Sequence, residues 1–316
     1  EIHWRDWSSD VCSSDLRKTE LEHSRNIANG SVDATQSAVY LQDEFGFGDL
    51  ALTLSGRLDH HETYGTEFSP RAYALYTLTD EWVIKGGAGK AFKAPTLAQS
   101  SEGFSTTACR GACQVIGNPD LKPETAVSYE LGTAYEAARF GAGVTGFHNE
   151  IEDLIQSDQW GPGYRPTVMT YLNVKEARIK GLELTGWVDV LDNVKLTGNF
   201  TLLDSVDRST GDDLAKTPDH TGNLGLDWQA SELVSANLAW QYVGSQVIKV
   251  PARNSQAFTS KHYQTLDVNT NWTVTPALDF KLGITNLTNT KRDEVATDAD
   301  FILEGRTVYA GVDYKL

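Results

Sequence analysis

From about residue 36 onward, polar and apolar side chains alternate along the chain with a period of two, the mark of strands with one apolar face. Between 194 and 202, Val194, Leu196, Gly198, Phe200 and Leu202 interleave with Lys195, Thr197, Asn199 and Thr201. Leu266, Val268, Thr270, Trp272 and Val274 oppose Asp267, Asn269, Asn271 and Thr273, and Leu278, Phe280, Leu282 and Ile284 oppose Asp279, Lys281, Gly283 and Thr285. Similar stripes run through 50–58, 182–190, 224–228 and 234–242. Helical spacing is not sustained over three turns anywhere past residue 36. The pattern predicts about 13 strands, over 36–45, 48–60, 67–79, 81–91, 124–137, 139–157, 168–190, 193–205, 218–230, 233–247, 261–274, 277–287 and 304–316.

The connections alternate in length. Tight turns are expected near Gly46–Phe47, Asp80, Ala138, Leu191–Asp192, Ser231–Glu232 and Thr275–Pro276, and long polar segments (92–123, 158–167, 206–217, 248–260, 288–303) fall between them. Short turns at one end and long loops at the other describe an outer-membrane barrel. The Greek-key crossings of a soluble sandwich would scatter loop lengths between both ends. Several strands exceed the roughly 9 to 11 residues that cross a bilayer, so they should project beyond it and carry the long loops outward. The expected fold class is all-β, an antiparallel up-and-down transmembrane β-barrel.

The polar faces support this. Lys195, Asn199, Asp267, Asn269, Asn271, Asp279 and Lys281 are too many charges and amides for a dry core, and they cost little against a watered lumen. The apolar face then meets lipid, with Trp82, Trp187, Trp228, Trp240 and Trp272 as candidates for interfacial girdles.

The chain has 316 residues, enough for two average domains or one large β domain. Lys plus Arg number 27 against 43 Asp plus Glu, a net charge of −16, which argues against a nucleic-acid partner. No apolar run approaches the roughly 18 to 20 residues of a membrane-spanning helix. Three cysteines include a close pair, Cys109 and Cys113, which suits an oxidising compartment better than a metal site. Residues 1–16 stand apart: SSD occurs twice, no secretory pattern is present, and the segment reads as a translated adapter or assembly artefact. The expected organisation is this foreign segment, a loop or partial strand over 17–35, and barrel from 36 to 316.

Six ordered motifs then carry a resemblance. SPRAYALYTLTDEWVIKGGAGKAFKAPTLAQ (69–99), GNPDLKPETAVSYELG (117–132), NVKEARIKGLELTG (173–186), PDHTGNLGLDW (218–228), LGITNLTNTKRDE (282–294) and GRTVYAGVDYKL (305–316) resemble the strand segments of the C-terminal barrel of TonB-dependent receptors. Physically, Pro119 and Pro123 lack amide donors, so Asn118–Glu124 reads as a stiff lead-in that delivers Thr125 to the next strand. Val308, Ala310, Val312, Tyr314 and Leu316 share one face and resemble the terminal signal read by the barrel assembly machinery, with Leu in place of the usual final Phe. The resemblance implies a barrel of about 22 strands around a plug, and coupling to the TonB complex. About 13 strands, without plug or TonB box, make this chain resemble the last part of such a receptor, and transport belongs to the intact parent.

The CRGAC tip (109–113), just before NPDLKPE, resembles catecholate siderophore receptors of the ferric enterobactin and colicin I receptor group. A Cys109–Cys113 disulfide would close a very small loop, contribute about 2 kcal/mol and stiffen the tip that presents Arg110. Metal binding there has two sulfurs and no nearby His. Arg110, Arg165, Lys249, Arg253, Lys291 and Arg292, with Phe104, Trp160, Tyr164 and Phe258, map to the long-loop end. Arg and aromatic groups suit a ferric siderophore of the tris-catecholate type, a bulky, aromatic, multiply negative ligand, through charge and cation–π contact. Neither a catalytic residue nor a covalently bound cofactor is expected, and outer-membrane lipid and lipopolysaccharide are the expected surroundings. The rival readings are an outer-membrane barrel hydrolase, although no Gly-x-Ser-x-Gly elbow occurs, and a passive porin-like barrel.

Overall fold

A computed structural model describes residues 13–22, 27, 30–108, 111, 113–159, 168–249, 258–296 and 303–315. Its strands are β1 (Ser13–Glu22), β2 (Ser31–Phe47), β3 (Leu50–His61), β4 (Gly65–Thr79), β5 (Trp82–Lys93), β6 (Ser105–Ala108), β7 (Cys113–Ile116), β8 (Glu124–Glu136), β9 (Phe140–Gln159), β10 (Val168–Leu191), β11 (Val194–Asp207), β12 (His220–Gln229), β13 (Val234–Val243), β14 (Gln246–Lys249), β15 (Phe258–Ser260), β16 (Tyr263–Thr275), β17 (Leu278–Thr285) and β18 (Thr307–Tyr314). Two single-turn helices, α1 (Leu97–Ser100) and α2 (Arg292–Val295), lie in the connections after β5 and β17. The long strands form one meander in the order β1-β2-β3-β4-β5-β8-β9-β10-β11-β12-β13-β16-β17-β18, each antiparallel to its neighbour.

The predicted alternation becomes two chemically distinct faces. Across the register Leu54–Ala72–Ala88–Tyr129–His148 and Leu52–Ala74–Gly86–Leu131–Gly146–Leu182–Leu202, one face is almost wholly apolar below the level of His148. That face is exposed: Leu131 retains 68% of its surface, Leu282 56% and Val312 58%. Rows this apolar and this open would aggregate in water. Against hydrocarbon they need no partner, because the long strands between the edge strands β1 and β18 pair their backbone groups sideways with both neighbours.

Trp82, Trp228 and Trp272 stand on this apolar face near the short turns, beside Tyr135, Phe140 and Phe280. Trp240 stands on the same face toward the long loops, stacked on Tyr242, with its indole N–H donated to Gln264. From Trp228 to His220 along β12, roughly 3.4 Å per residue and a tilt of about 40° give about 21 Å between the two aromatic levels, close to the ~25 Å apolar band of such barrels. Trp187 departs from the expected girdle. It alternates with Leu184, Gly186 and Val188, so it points to the polar face, where its Nε1–H donates to Glu136 at 2.9 Å and Lys195 Nζ sits 4.1 Å from the ring centroid.

The polar face is cross-linked strand to strand. Asn223 donates to Asn199 at 2.9 Å, Asn237 to Asp227 at 2.8 Å and Thr273 to Asp279 at 2.6 Å, while Lys281 pairs with Asp313. Aromatic side chains also close over glycines directly opposite them: Tyr73 over Gly87, Trp187 over Gly141, Tyr309 over Gly283.

One turn moves relative to the sequence pattern. The β2–β3 turn falls at Gly48–Asp49 rather than Gly46–Phe47, because Gly48 supplies the left-handed conformation (φ 64°) that the turn needs. The segment 17–35 contains most of β1 and the start of β2, and β1 reaches back to Ser13, pairing the last residues of the segment 1–16 with β2. Among the described residues, the largest fully buried side chains (Met169 and Thr170 on β10, Ser260 on β15), together with Leu121 and Leu214, lie at the long-loop end, so the small dry core sits in the loop layer.

A methyl group on Gly87 would lie 2.5 Å from the Tyr73 ring and 2.7 Å from the Ala72 carbonyl oxygen, whereas on Gly311 the nearest neighbour is 3.9 Å away. Gly87→Ala is therefore expected to cost about 1–3 kcal/mol. The cost would be read as a lower urea midpoint in detergent micelles, and Gly311→Ala should change it by less than about 0.5 kcal/mol.

Candidate functional site

Inward-facing positions of β1–β5 converge beneath the loop that follows β5, around a cavity of about 1010 Å³. The alternation in β3 places Arg57, Asp59 and His61 on one row, and the register brings Ser69 and Arg71 of β4 beside it. The lining includes Arg17, Arg57, Arg71, Lys90 and Lys93 against Asp33, Asp59 and Glu102, a local excess of cations in a chain of net charge −16. Asp59 is 4% exposed and fully engaged: Arg57 Nε donates to both its oxygens at 3.1 and 3.0 Å, and Gln36 Nε2 to one at 2.8 Å. Arg57 is further tied to Asp15 of β1, Lys90 to Glu67 and Lys93 to Glu124. Arg17 and Arg71 have no ion-pair partner among the described residues, and Arg71 rests 5.2 Å from the Tyr73 ring.

Leu58 is the last lipid-facing residue of β3, and His61 lies beyond it, outside the bilayer. Its Nδ1 accepts the Thr63 amide at 3.2 Å, leaving the proton on Nε2, and its ring packs 4.9 Å from Tyr64. Burial is the main cause holding the imidazole below the ordinary histidine value, so it stays neutral at pH 7. The site thus offers guanidinium donors, a neutral imidazole and the rings of Tyr64 and Phe92. That set can bind a large anion with aromatic character.

The loop above is built rather than loose. Pro95 ends β5, and α1 opens with a reciprocal cap in which Thr96 Oγ1 accepts from the Gln99 amide and Gln99 Oε1 accepts from the Thr96 amide. The chain then forms the β6–β7 hairpin, whose second strand adds parallel to β10 through Gln114–Ile116 and Val168–Thr170. Asn118 Nδ2 donates to the Tyr171 carbonyl. Asn173 accepts from the Lys122 amide and donates to the Lys122 and Asp153 carbonyls at 3.0 and 2.5 Å. Glu124 is pinned by Lys93 at 2.9 Å and by the Ile155 amide at 2.8 Å. The proline-rich lead-in is thus riveted to β9 and β10.

Of the loop residues singled out by sequence, Phe104 forms a bridge to Ile27 at the base of this loop, whereas Lys291 and Arg292 lie at α2, far along the strand order. Lys291 is exposed and Arg292 half-buried. Phe258 opens β15, opposite Lys249, whose backbone belongs to β14. Arg110, Trp160, Tyr164, Arg165, Arg253 and Cys109 lie outside the described residues, as does the Lys249 side chain. Cys113 is disulfide-bonded. Val308, Ala310, Val312 and Tyr314 are exposed on one face of β18, and Leu316 lies outside the described residues. Sequence reading missed Arg57 and Arg71, which sit within predicted strands, and Lys93, which it placed in the long segment 92–123 and which the structure adds to the end of β5. Their polar-face parity at the loop end was the available signal.

An exposed apolar face of one meander and a charged, amide-lined opposite face define a β-barrel wall of the bacterial outer membrane. Residues 3–287 match the family described as TonB dependent receptor-like, beta-barrel, and the chain belongs to that family. It is 29% identical over 301 residues to an iron-regulated outer membrane virulence protein of Vibrio cholerae, covering 89% of this chain and 45% of that protein. It is 30% identical over 268 residues to the ferrienterobactin receptor of Escherichia coli K12, covering 79% and 36%. Among solved structures, a mutant ferric enterobactin receptor of Pseudomonas aeruginosa in complex with enterobactin superimposes with a TM-score of 0.77 at 25% identity, over 96% of this chain and 51% of that one. The chain spans about half or less of the length of these relatives.

Asn173→Ala removes one acceptor and two donated bonds from the lead-in. The Lys122 amide is expected to exchange with deuterium at least tenfold faster, corresponding to a loss of about 1.4 kcal/mol or more, with exchange in β16 unchanged.

Proposed function

We propose that this chain is the C-terminal part of the barrel wall of an outer-membrane receptor that binds a ferric siderophore of the catecholate class for TonB-coupled uptake. The match of nearly the whole wall to receptors named for ferric enterobactin supports this reading most directly. The physical case rests on the cavity under the β5 loop. Its cation excess suits a multiply negative chelate, and Tyr64 and Phe92 suit catechol rings. Arg110, Phe104, Trp160, Tyr164, Arg165, Lys249, Arg253, Lys291 and Arg292 would form the outer approach, with a Cys109–Cys113 disulfide stiffening one tip. The siderophore is cargo, and no covalent cofactor or catalytic step enters. The matched family is one of receptors, not enzymes, and the hydrolase and porin readings find no supporting observation. Residues 308–316 would serve assembly of the parent barrel, and outer-membrane lipid with lipopolysaccharide would surround it.

Arg71 has no carboxylate partner among the described residues, so removing its charge strands no buried anion. In the intact receptor, Arg71→Gln should weaken binding of a ferric tris-catecholate about tenfold, roughly 1.4 kcal/mol, measured by quenching of tryptophan fluorescence. A ferric tris-hydroxamate should bind weakly to both forms. Equal affinity of wild type and variant, or preference for the hydroxamate, contradicts the assignment.

A further inference from the structure

Most of the charges that line the cavity under the β5 loop are already paired within the wall. Asp59 holds Arg57, which also reaches Asp15, and Asp33 lies 3.2 Å from Lys18 Nζ. Lys90 pairs with Glu67 and Lys93 with Glu124. Three lining charges have no ion-pair partner among the described residues: Arg17 on β1, Arg71 on β4 and Glu102 in the loop above. The wall thus presents two free guanidiniums from below, and the loop presents one free carboxylate from above.

Glu102 is fixed by its flanks rather than by its side chain. It occupies the first central position of a turn in which the Phe104 amide donates to the Ser101 carbonyl at 3.1 Å. The Ser101 amide is tied to the Leu97 carbonyl of α1, the Phe104 carbonyl accepts the Gly117 amide at 3.0 Å, and Phe104 also bridges to Ile27. The returning chain passes so close that a Cβ on Gly117 would overlap the Ser101 carbonyl oxygen. The Glu102 side chain is exposed and makes no hydrogen bond or ion pair among the described residues, so it caps neither the turn nor α1. A carboxylate held over a site for a multiply negative chelate repels that chelate. A cargo that carries a cation on its outward side turns the same charge into a contact. We propose that Glu102 selects, among ferric catecholates, those whose backbone bears a protonated amine: the iron-centred anion lies toward Arg17 and Arg71, and the ammonium meets Glu102. Discrimination then has two parts, attraction of the amine and repulsion of chelates that lack it. This rests on the catecholate reading above and narrows it from a class of anion to a class of zwitterion.

Two synthetic ferric tris-catecholates on one backbone test this in the intact receptor: one carries a pendant primary amine, and in the other that amine is acetylated. Dissociation constants are read from quenching of tryptophan fluorescence for wild type, Glu102→Gln and Arg71→Gln. Wild type is expected to prefer the free amine about fivefold. Glu102→Gln should abolish that preference while binding the acetylated chelate at least as tightly as wild type, the sign of intact folding. Arg71→Gln should weaken both chelates alike and leave the preference in place. Equal affinity of wild type for the two chelates, or a preference that survives Glu102→Gln, overturns the proposal and leaves the catecholate reading standing. Failure of wild type to bind either chelate overturns both.

Discussion

A backbone amide or carbonyl left unpaired in hydrocarbon costs several kcal/mol, and this constraint organises the whole structure. It favours pairing of each crossing segment along its length, and the described wall is accordingly a single meander with nearly continuous registers, in which every long strand but the edge strands β1 and β18 has two neighbours. Once the ladder is satisfied sideways, the side chains are free to answer two solvents. The period of two then assigns each residue to lipid or to lumen, and a one-residue slip would exchange the two sets.

The two faces accordingly hold together by different means. The lipid face contributes little cohesion of its own, since leucine against an acyl chain resembles leucine against leucine. Cohesion on the lumen face comes from amide and carboxylate pairs such as Asn223–Asn199 and Thr273–Asp279, and from aromatic side chains closed over glycines, as at Tyr73 and Gly87. Tight packing of the water-excluding kind is confined to the loop layer around Met169, Leu121 and Leu214. There it fixes the β6–β7 hairpin and the 118–124 lead-in over the cation-lined cavity. A rim held rigid in this way would lose less entropy in binding the anion proposed above.

Much of the fold was legible because the alternation is driven by solvent rather than by partner identity. The stripes of 194–202, 266–274 and 278–284 translate into β11, β16 and β17 with boundaries shifted by only a few residues. What was not legible follows from range. The four-residue strands β6, β7 and β14 carry too few positions for a period to show, and the parallel addition of β7 to β10 depends on a contact about 54 residues away in sequence. Trp187 was assigned to the girdle by residue type, although its parity with Thr185 rather than Leu184 pointed inward. Placing the binding cations in the long loops leaves out Arg57 and Arg71, which lie in strands; a strand's polar row also carries charge where it reaches the loop end.

The central claim is that odd and even residues of one strand meet different solvents. The most direct test introduces a photo-crosslinking side chain at each position from 127 to 132 of β8 in outer membranes. Crosslinks to lipid are predicted at 127, 129 and 131, the positions of Val127, Tyr129 and Leu131, and not at 128, 130 or 132. Crosslinking to lipid at all six positions, or at the even positions only, would contradict the account.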